Sequence, residues 1–386
     1  LGFGPVLWSG FDKRGTRWQI AALPLGGYVR FMGDADAASG KDGDAIEAMS
    51  ARDRRATMHG APLWARALTV AAGPAFNFAL SIIVFAAILL FRGTASEPLT
   101  LAEVLPLPGP AQELRAGDEI LAIEGTPTPA FEEFDAFVAG LPRVEALSYT
   151  VLRDGAEQVV RAPFPYPPLV AGLTPDSAAM DAGMQVGDVI VAIDGEPVVA
   201  FEDLREKVGA SDGKPLLLDV WSDGNVRQVT LVPRSVDLPA DDGGFETRWL
   251  IGISGGLMFE PATERPGVFE AVGYGAERTV FVVKSSISGL YHMIAGQISS
   301  CNLRGPIGIA QTSGAAASQG WTSFIWFIAV LSTAVGLLNL FPIPVLDGGH
   351  LVFHAFEAVI GRPPSDRALR ILMAIGLAAI LGLMVF

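Results

Sequence analysis

The chain has 386 residues, half of them apolar and 18% charged, with a mean hydropathy of +0.40, a balance that excludes a purely soluble set of domains. Acidic residues outnumber basic ones 41 to 27, giving a net charge of −14, the wrong sign for neutralising phosphates, so nucleic acid is excluded as a partner. The single Cys301 can form no internal disulfide, and there is no CxxC or Cys/His cluster for a structural zinc or iron–sulfur site.

Residues 1–66 open at Leu1 without a signal-like basic start and apolar run, so the natural beginning of the protein is expected upstream. His59, in a polar stretch with Arg52, Arg54 and Arg55, reads as a solvated side chain. From Ala67 to Phe91 no residue is charged, and at about 1.5 Å per residue such a helix exceeds the roughly 30 Å hydrocarbon layer. A transmembrane helix is therefore predicted over 67–92. A second uncharged stretch runs from Gly305 to Leu346, most apolar between Trp321 and Phe341, and a third, marginally short, from Ile371 to Phe386. Three such runs predict an α-helical, multi-spanning membrane bundle. Residues 1–92 carry ten Lys/Arg and the last stretch adds Arg362, Arg367 and Arg370, whereas residues 93–346 hold fourteen basic against thirty-one acidic residues. The positive-inside rule then puts both basic segments in the cytoplasm and the acidic segment outside.

That acidic segment contains an internal repeat. Ala116–Gly125 (AGDEILAIEG) aligns with Val186–Gly195 (VGDVIVAIDG) at a shift of seventy residues; Pro127, Phe131 and Glu132 then match Pro197, Phe201 and Glu202, and Asp154-Gly155 answers Asp223-Gly224. Each copy reads as a GD turn, an alternating strand, a tight EG or DG turn and a short helix. The pattern resembles the circularly permuted PDZ domain of bacteria, with copies over 97–165 and 166–236. PDZ domains add an extended peptide to a sheet edge. The resemblance implies grooves at the start of each module, at Pro98, Leu99 and Val104 and at Leu169, Val170 and Leu173, reading peptide ends. Two packing domains whose edges are covered by a neighbour would give the same pattern.

Residues 237–304 read as a connecting region, amphipathic around Val268–Ile298. The segment 305–361 then ends its apolar run in NLFPIPVLDGGH, Asn339 to His350. Pro342 and Pro344 remove backbone donors and break the helix, and irregular backbone at membrane depth must line protein or water. Asp347 is the sole carboxylate between Glu277 and Glu357. An acid within the bilayer is functional by default, while an Asp opening a helix at Gly348 can equally be a cap at the membrane surface. Residue type alone leaves both readings open.

NxxPxPxLDGG is similar to the third-ligand motif of site-2 proteases, intramembrane zinc metalloproteases, and the order of features resembles their bacterial RseP (regulator of sigma-E protease) branch. The likeness covers essentially the whole chain. GFGPVLWSG followed by Arg17–Phe31 (RWQIAALPLGGYVRF) looks like the family's membrane-associated β-hairpin, AAGPAFNF (71–78) like part of its next membrane helix, and the paired PDZ copies, GPIGIA (305–310) and the Asp motif follow in order. The resemblance implies Zn²⁺ as cofactor, Asp347 as its carboxylate ligand, and Asn339 as a contact to substrate backbone or to the reacting carbonyl. It also implies regulated proteolysis of single-pass membrane proteins such as anti-sigma factors. The site of action would be the bacterial inner membrane, with the PDZ tandem outside, gating substrate, and 362–386 as the last transmembrane helix.

One family element is missing. Catalysis requires HExxH, two zinc-binding histidines and a general base, yet only His59, His292, His350 and His354 occur and none precedes Glu. His350 and His354 have half-site spacing, but Leu351 stands where the base belongs, so ordinary helix histidines are expected. The missing motif is expected upstream of Leu1, leaving this chain inactive by itself. A membrane-anchored PDZ adaptor that captures peptide without cutting it is the alternative; a transporter would require paired broken helices, and one broken segment is present. Arg17–Phe31 could pair with an unwound substrate strand or simply pack on the bundle, and Gly26 and Gly27 are compatible with both.

Overall fold

The structure, a computed structural model, describes residues 3–13, 16–23, 57, 60–109, 112–239, 245–296 and 305–385. Gly26, Gly27, Arg52, Arg54, Arg55, His59 and Cys301 lie outside the described residues. Two compact units divide the chain, Leu1–Ala75 with Leu338–Ile380, and Phe76–Leu337 with Leu381–Phe386.

The first unit opens with an antiparallel hairpin of β1 (Phe3–Phe11) and β2 (Arg17–Leu23), in which Trp8 faces Ile20 and Gly10 faces Trp18. Asp12 closes its turn: the Thr16 N–H donates to Oδ1 and the Trp18 indole to Oδ2. The hairpin falls within the region 1–66 named for it. GFGPVLWSG supplies most of its first strand and Arg17–Leu23 its second, and residues 24–31 lie outside the described residues. Leu7, Trp8, Phe11 and Trp18 are exposed.

α1 (Leu63–Arg92) contains the run predicted from Ala67 to Phe91 and carries Pro74 within it. After it come β3 (Thr94–Ala95), β4 (Leu101–Val104), β5 (Glu119–Ile123), β6 (Thr126–Pro127), α2 (Phe134–Ala139), β7 (Leu147–Arg153) and β8 (Ala156–Ala162), the first repeat copy. The second copy comprises β9 (Gly172–Leu173), α3 (Ala178–Asp181), β10 (Val189–Ile193), β11 (Glu196–Pro197), α4 (Phe201–Gly209), β12 (Leu216–Ser222) and β13 (Asn225–Leu231). Their sheets have the same order, β6-β5-β7-β8 and β11-β10-β12-β13. The repeated dipeptides explain why. Glu124-Gly125, Asp154-Gly155, Asp194-Gly195 and Asp223-Gly224 all hold positive φ, between 46° and 87°, the type I′ geometry that joins twisted antiparallel strands.

The Asp of each GD pair is structural. Asp118 accepts from the Arg115 N–H and from the Arg153 guanidinium at 2.7 Å; Asp188, its partner in the repeat, accepts from the Gln185 N–H and from Arg227. Burial opposes ionisation of Asp118, but these hydrogen bonds and the charges of Arg153 and Arg115 outweigh it and hold the carboxyl below the usual range.

Beyond β13 the chain departs from the simple connector expected over 237–304. It continues as β14 (Arg234–Pro239), β15 (Phe245–Leu250), β16 (Ile253–Ser254), β17 (Phe259–Pro261) and β18 (Thr263–Glu264). β16 pairs with β9 of the second copy, whereas β17 pairs with β4 of the first. Met258 and Phe259, 0% and 2% exposed, belong to the first copy's core with Leu101, Phe134 and Tyr149, while Ile251 belongs to the second. The first copy is therefore discontinuous: after Phe164 its chain makes the whole second copy before returning to complete it. The reason is apolar closure, since Phe134 meets Phe259 edge to face at 6.3 Å and would otherwise face water. Arg143 of the first copy, bonded to Asp203 and Glu206 of α4, adds a polar tie between the two.

β18 pairs with β3 at the end of α1, and α5 (Val268–Ile294) follows. A Cβ on Gly275 of α5 would lie 2.4 Å from the Ile82 carbonyl oxygen, so the two helices touch backbone to backbone. The remaining helices are α6 (Pro306–Ser318), α7 (Trp321–Leu340), α8 (Asp347–Ile360) and α9 (Asp366–Val385). Ser81 donates to the carbonyls of Asn77 and Ala329, and Ser332 to that of Asn77, joining α1 and α7 through hydroxyls. Among the described residues, α1 and α7 are long and apolar enough to cross a bilayer.

Candidate metal centre

α7 ends at Leu340 because the next positions cannot continue it: Pro342 and Pro344 lack donors and restrict Phe341 and Ile343. The interruption is ordered by its own backbone. Ile343 N–H donates to Phe341 O at 2.7 Å and Leu346 N–H to Ile343 O at 2.8 Å. α8 then starts at Asp347.

Gly348 and Gly349 make this fold-back possible. A Cβ on Gly348 would lie 2.3 Å from the carbonyl oxygens of both Leu340 and Phe341, and one on Gly349 2.3 Å from that of Ile343. No side chain fits at either position, so the LDGG glycines are where a helix start is pressed onto a broken helix end. Gly376 of α9 packs on Pro344 and Val345 from another direction.

Asp347 occupies the first turn of α8, one residue past the cap position, Leu346, and it makes no capping hydrogen bond. The surface-cap reading is therefore not what is observed. Among the described residues its carboxylate receives no hydrogen bond and no ion pair; His350, one turn on, is an electrostatic neighbour. On its other side is α1, where a Cβ at Gly73 would lie 2.9 Å from Asp347 Oδ2. Asn339 sits half-buried in the last turn of α7, its amide without a partner among the described residues.

His350 meets Phe353 edge to face at 6.0 Å, and His354 has a buried Nε2 without a hydrogen-bond partner. Among the described residues no three His, Cys, Asp or Glu side chains are grouped to hold a metal ion. A catalytic zinc takes three protein ligands. An unpartnered carboxylate held against backbone fits one of those three places, and the described residues do not furnish the other two.

The residues named for the peptide grooves are mostly turned inward. Leu99, Leu169 and Val170 are interior, 4%, 6% and 0% exposed; Val104 and Leu173 pack on their cores, and Pro98 is exposed. The strands carrying Val104 and Leu173 have intrachain partners, β17 and β16.

Sequence reasoning missed Gly73, Arg66 and Glu357. Arg66 of α1 donates to Glu357 Oε1 of α8 at 2.6 Å. The available signals were a glycine inside an apolar run and an acid spaced ten residues beyond Asp347 in a helix.

The profile of Peptidase family M50 matches residues 1–383. A protein of Agrobacterium fabrum named "Putative zinc metalloprotease" is 36% identical over all of this chain and 84% of its own length. Proteins with the same description from Rhizobium meliloti and Vibrio cholerae are 35% and 30% identical, each over the whole chain, covering 85% and 88% of their lengths.

Proposed function

The chain belongs to peptidase family M50, the site-2 protease family, and from that premise we propose that it forms the body of a zinc metalloendopeptidase that cleaves single-pass membrane proteins within the bilayer. The observation that carries this reading is the Asp347 carboxylate, unpartnered and lodged between a broken helix and the Gly73 backbone. An acid held in apolar surroundings without a donor is costly, and a dication is the partner that makes it tolerable.

Zinc, when bound, supplies Lewis-acid activation of water and of a peptide carbonyl. This chain's part is to furnish one anionic ligand at Asp347, to offer the Asn339 amide as donor to substrate backbone or to the reacting carbonyl, and to keep bulk water out. The described residues furnish neither two further zinc ligands beside Asp347 nor a glutamate placed as general base.

The repeat copies are read as PDZ-type modules on the outer side of a bacterial plasma membrane, gating substrate by size or by its trimmed end. With β4 and β9 already paired, a peptide would add to the remaining edges of β16 and β17. The hairpin β1–β2 is read as a membrane-associated element able to pair with substrate.

Measuring zinc and turnover of a single-pass model substrate in the complete protein, wild type and Asp347→Ala, tests the core of this reading. Loss of both in the variant is expected; unchanged zinc and turnover would overturn it. A second reading, a non-catalytic peptide-binding adaptor, draws on the lack of a three-ligand group among the described residues, and predicts no turnover by the complete protein.

A further inference from the structure

Asp347, His350, His354 and Glu357 follow one another at spacings of three, four and three residues on α8, which places them within one face of the helix. Arg66 and Gly73 of α1 are seven residues apart, again one face. These faces meet at two points. Gly73 lies against the Asp347 carboxylate, and Arg66 binds Glu357. Residue numbers rise along one helix as they fall along the other, so the pair is antiparallel. The contacts are separated by about 10 Å on α1 and about 15 Å on α8, a difference that a long Arg side chain spans.

The two contacts do different work. Gly73 and Asp347 make steric contact only, which limits how near the helices come but supplies no directional bond between them. Among the described residues, the Arg66–Glu357 bond is the one side-chain hydrogen bond between this part of α1 and α8. Its side chains are 16% and 18% exposed, so it is far less screened than a surface pair. Two contact points define a line, and the second, added to the backbone packing of Gly348 and Gly349 at the start of α8, holds Asp347 in register with Gly73.

We propose that Arg66 and Glu357 are positioning residues: their ion pair, two to three turns from the Asp347 carboxylate, sets the register of α8 against α1 and thereby the place of that carboxylate in the metal site. This rests on the reading of Asp347 as a zinc ligand. A partner bonded directly to a metal ligand typically affects metal affinity or activity about 10- to 100-fold, and a pair acting through helix register should fall below that range.

The test uses the complete protein as wild type, Arg66→Gln, Glu357→Gln, the swapped pair Arg66→Glu/Glu357→Arg, and Asp347→Ala. Zinc stoichiometry, the rate of zinc loss to a chelator, the visible spectrum of the cobalt(II)-substituted protein, kcat, KM and thermal melting are measured for each. Expected for either single variant are zinc loss up to about tenfold faster, altered cobalt bands and a lower kcat at unchanged KM; the swapped pair should recover much of each. If a single variant fails to fold, Arg66→Lys, which keeps the charge but loses the planar fork, takes its place and should show the same changes to a lesser degree. Lower melting temperature with wild-type zinc loss, cobalt spectrum and kcat would overturn the proposal. Asp347→Ala separates the two levels: zinc retained there defeats the ligand assignment itself, whereas zinc lost there with indifferent Arg66 and Glu357 variants defeats only the positioning role.

Discussion

Gly73 and Asp347 are so close that a single methyl group on the glycine would sit 2.9 Å from the carboxylate oxygen. That is nearer than a carbon and an oxygen approach without displacement, and the movable partner is the carboxylate. Gly73→Ala should therefore act at a distance from its own helix. Alanine favours helix by about 1 kcal/mol over glycine, so α1 itself gains. We expect zinc affinity of the complete protein to fall about tenfold or more while its melting temperature holds; elemental analysis after dialysis against a weak chelator measures the first and calorimetry the second.

Gly348→Ala and Gly349→Ala should fail differently. Their new methyl groups would meet carbonyl oxygens at 2.3 Å, and backbone cannot step aside as a carboxylate can. A loss of stability of about 3 kcal/mol or more is expected for each, seen as a low yield of folded protein in detergent and a shifted unfolding midpoint, with zinc present or absent.

The discontinuous first module makes a prediction about fragments. A polypeptide of residues 97–166 lacks Met258 and Phe259 and should remain largely unfolded by circular dichroism, whereas 94–266 should fold cooperatively. Within that larger fragment, Phe259→Ala should cost about 3 to 5 kcal/mol and increase amide exchange first around Phe134 and Tyr149. Equal stability of the two fragments would contradict the shared core.

Acid should loosen the same fragment through Asp118. Its folded carboxyl titrates below the ordinary 3.8, so its contribution is complete above that value and disappears as pH falls through the lowered folded value. Melting temperature should drop once the pH goes below 3.8. Asp118→Asn should cost about 2 kcal/mol at neutral pH and flatten that acid limb; an acid limb of wild-type steepness in the variant would assign the effect to other carboxylates.

What the sequence makes legible follows from range. The repeat is written in local chemistry, with EG and DG turns and a GD Asp that caps its own loop, and these specify the same sheet order twice. The broken helix is legible for the same reason, since Pro342, Pro344, Gly348 and Gly349 act within a dozen residues. The return of β17 to β4 is not legible: Phe259 is one apolar residue among many, and nothing near it in the chain says which module it completes. The same is true of Gly73, whose meaning depends on Asp347 far along the chain. Likewise, Asp347 as a cap or as an acid at membrane depth could not be separated by residue type, because the difference lies in whether Leu346 or Asp347 holds the cap position.

Because its last strand is encoded after an entire second module, the first module must wait during synthesis. About 95 residues separate Phe164 from Phe259, and at 5 to 20 residues per second that is a delay of roughly 5 to 20 s. Through that interval Phe134 and its neighbours have no partner, so the nascent first module is the stretch on which a holding chaperone would act, and slower elongation would lengthen its exposure.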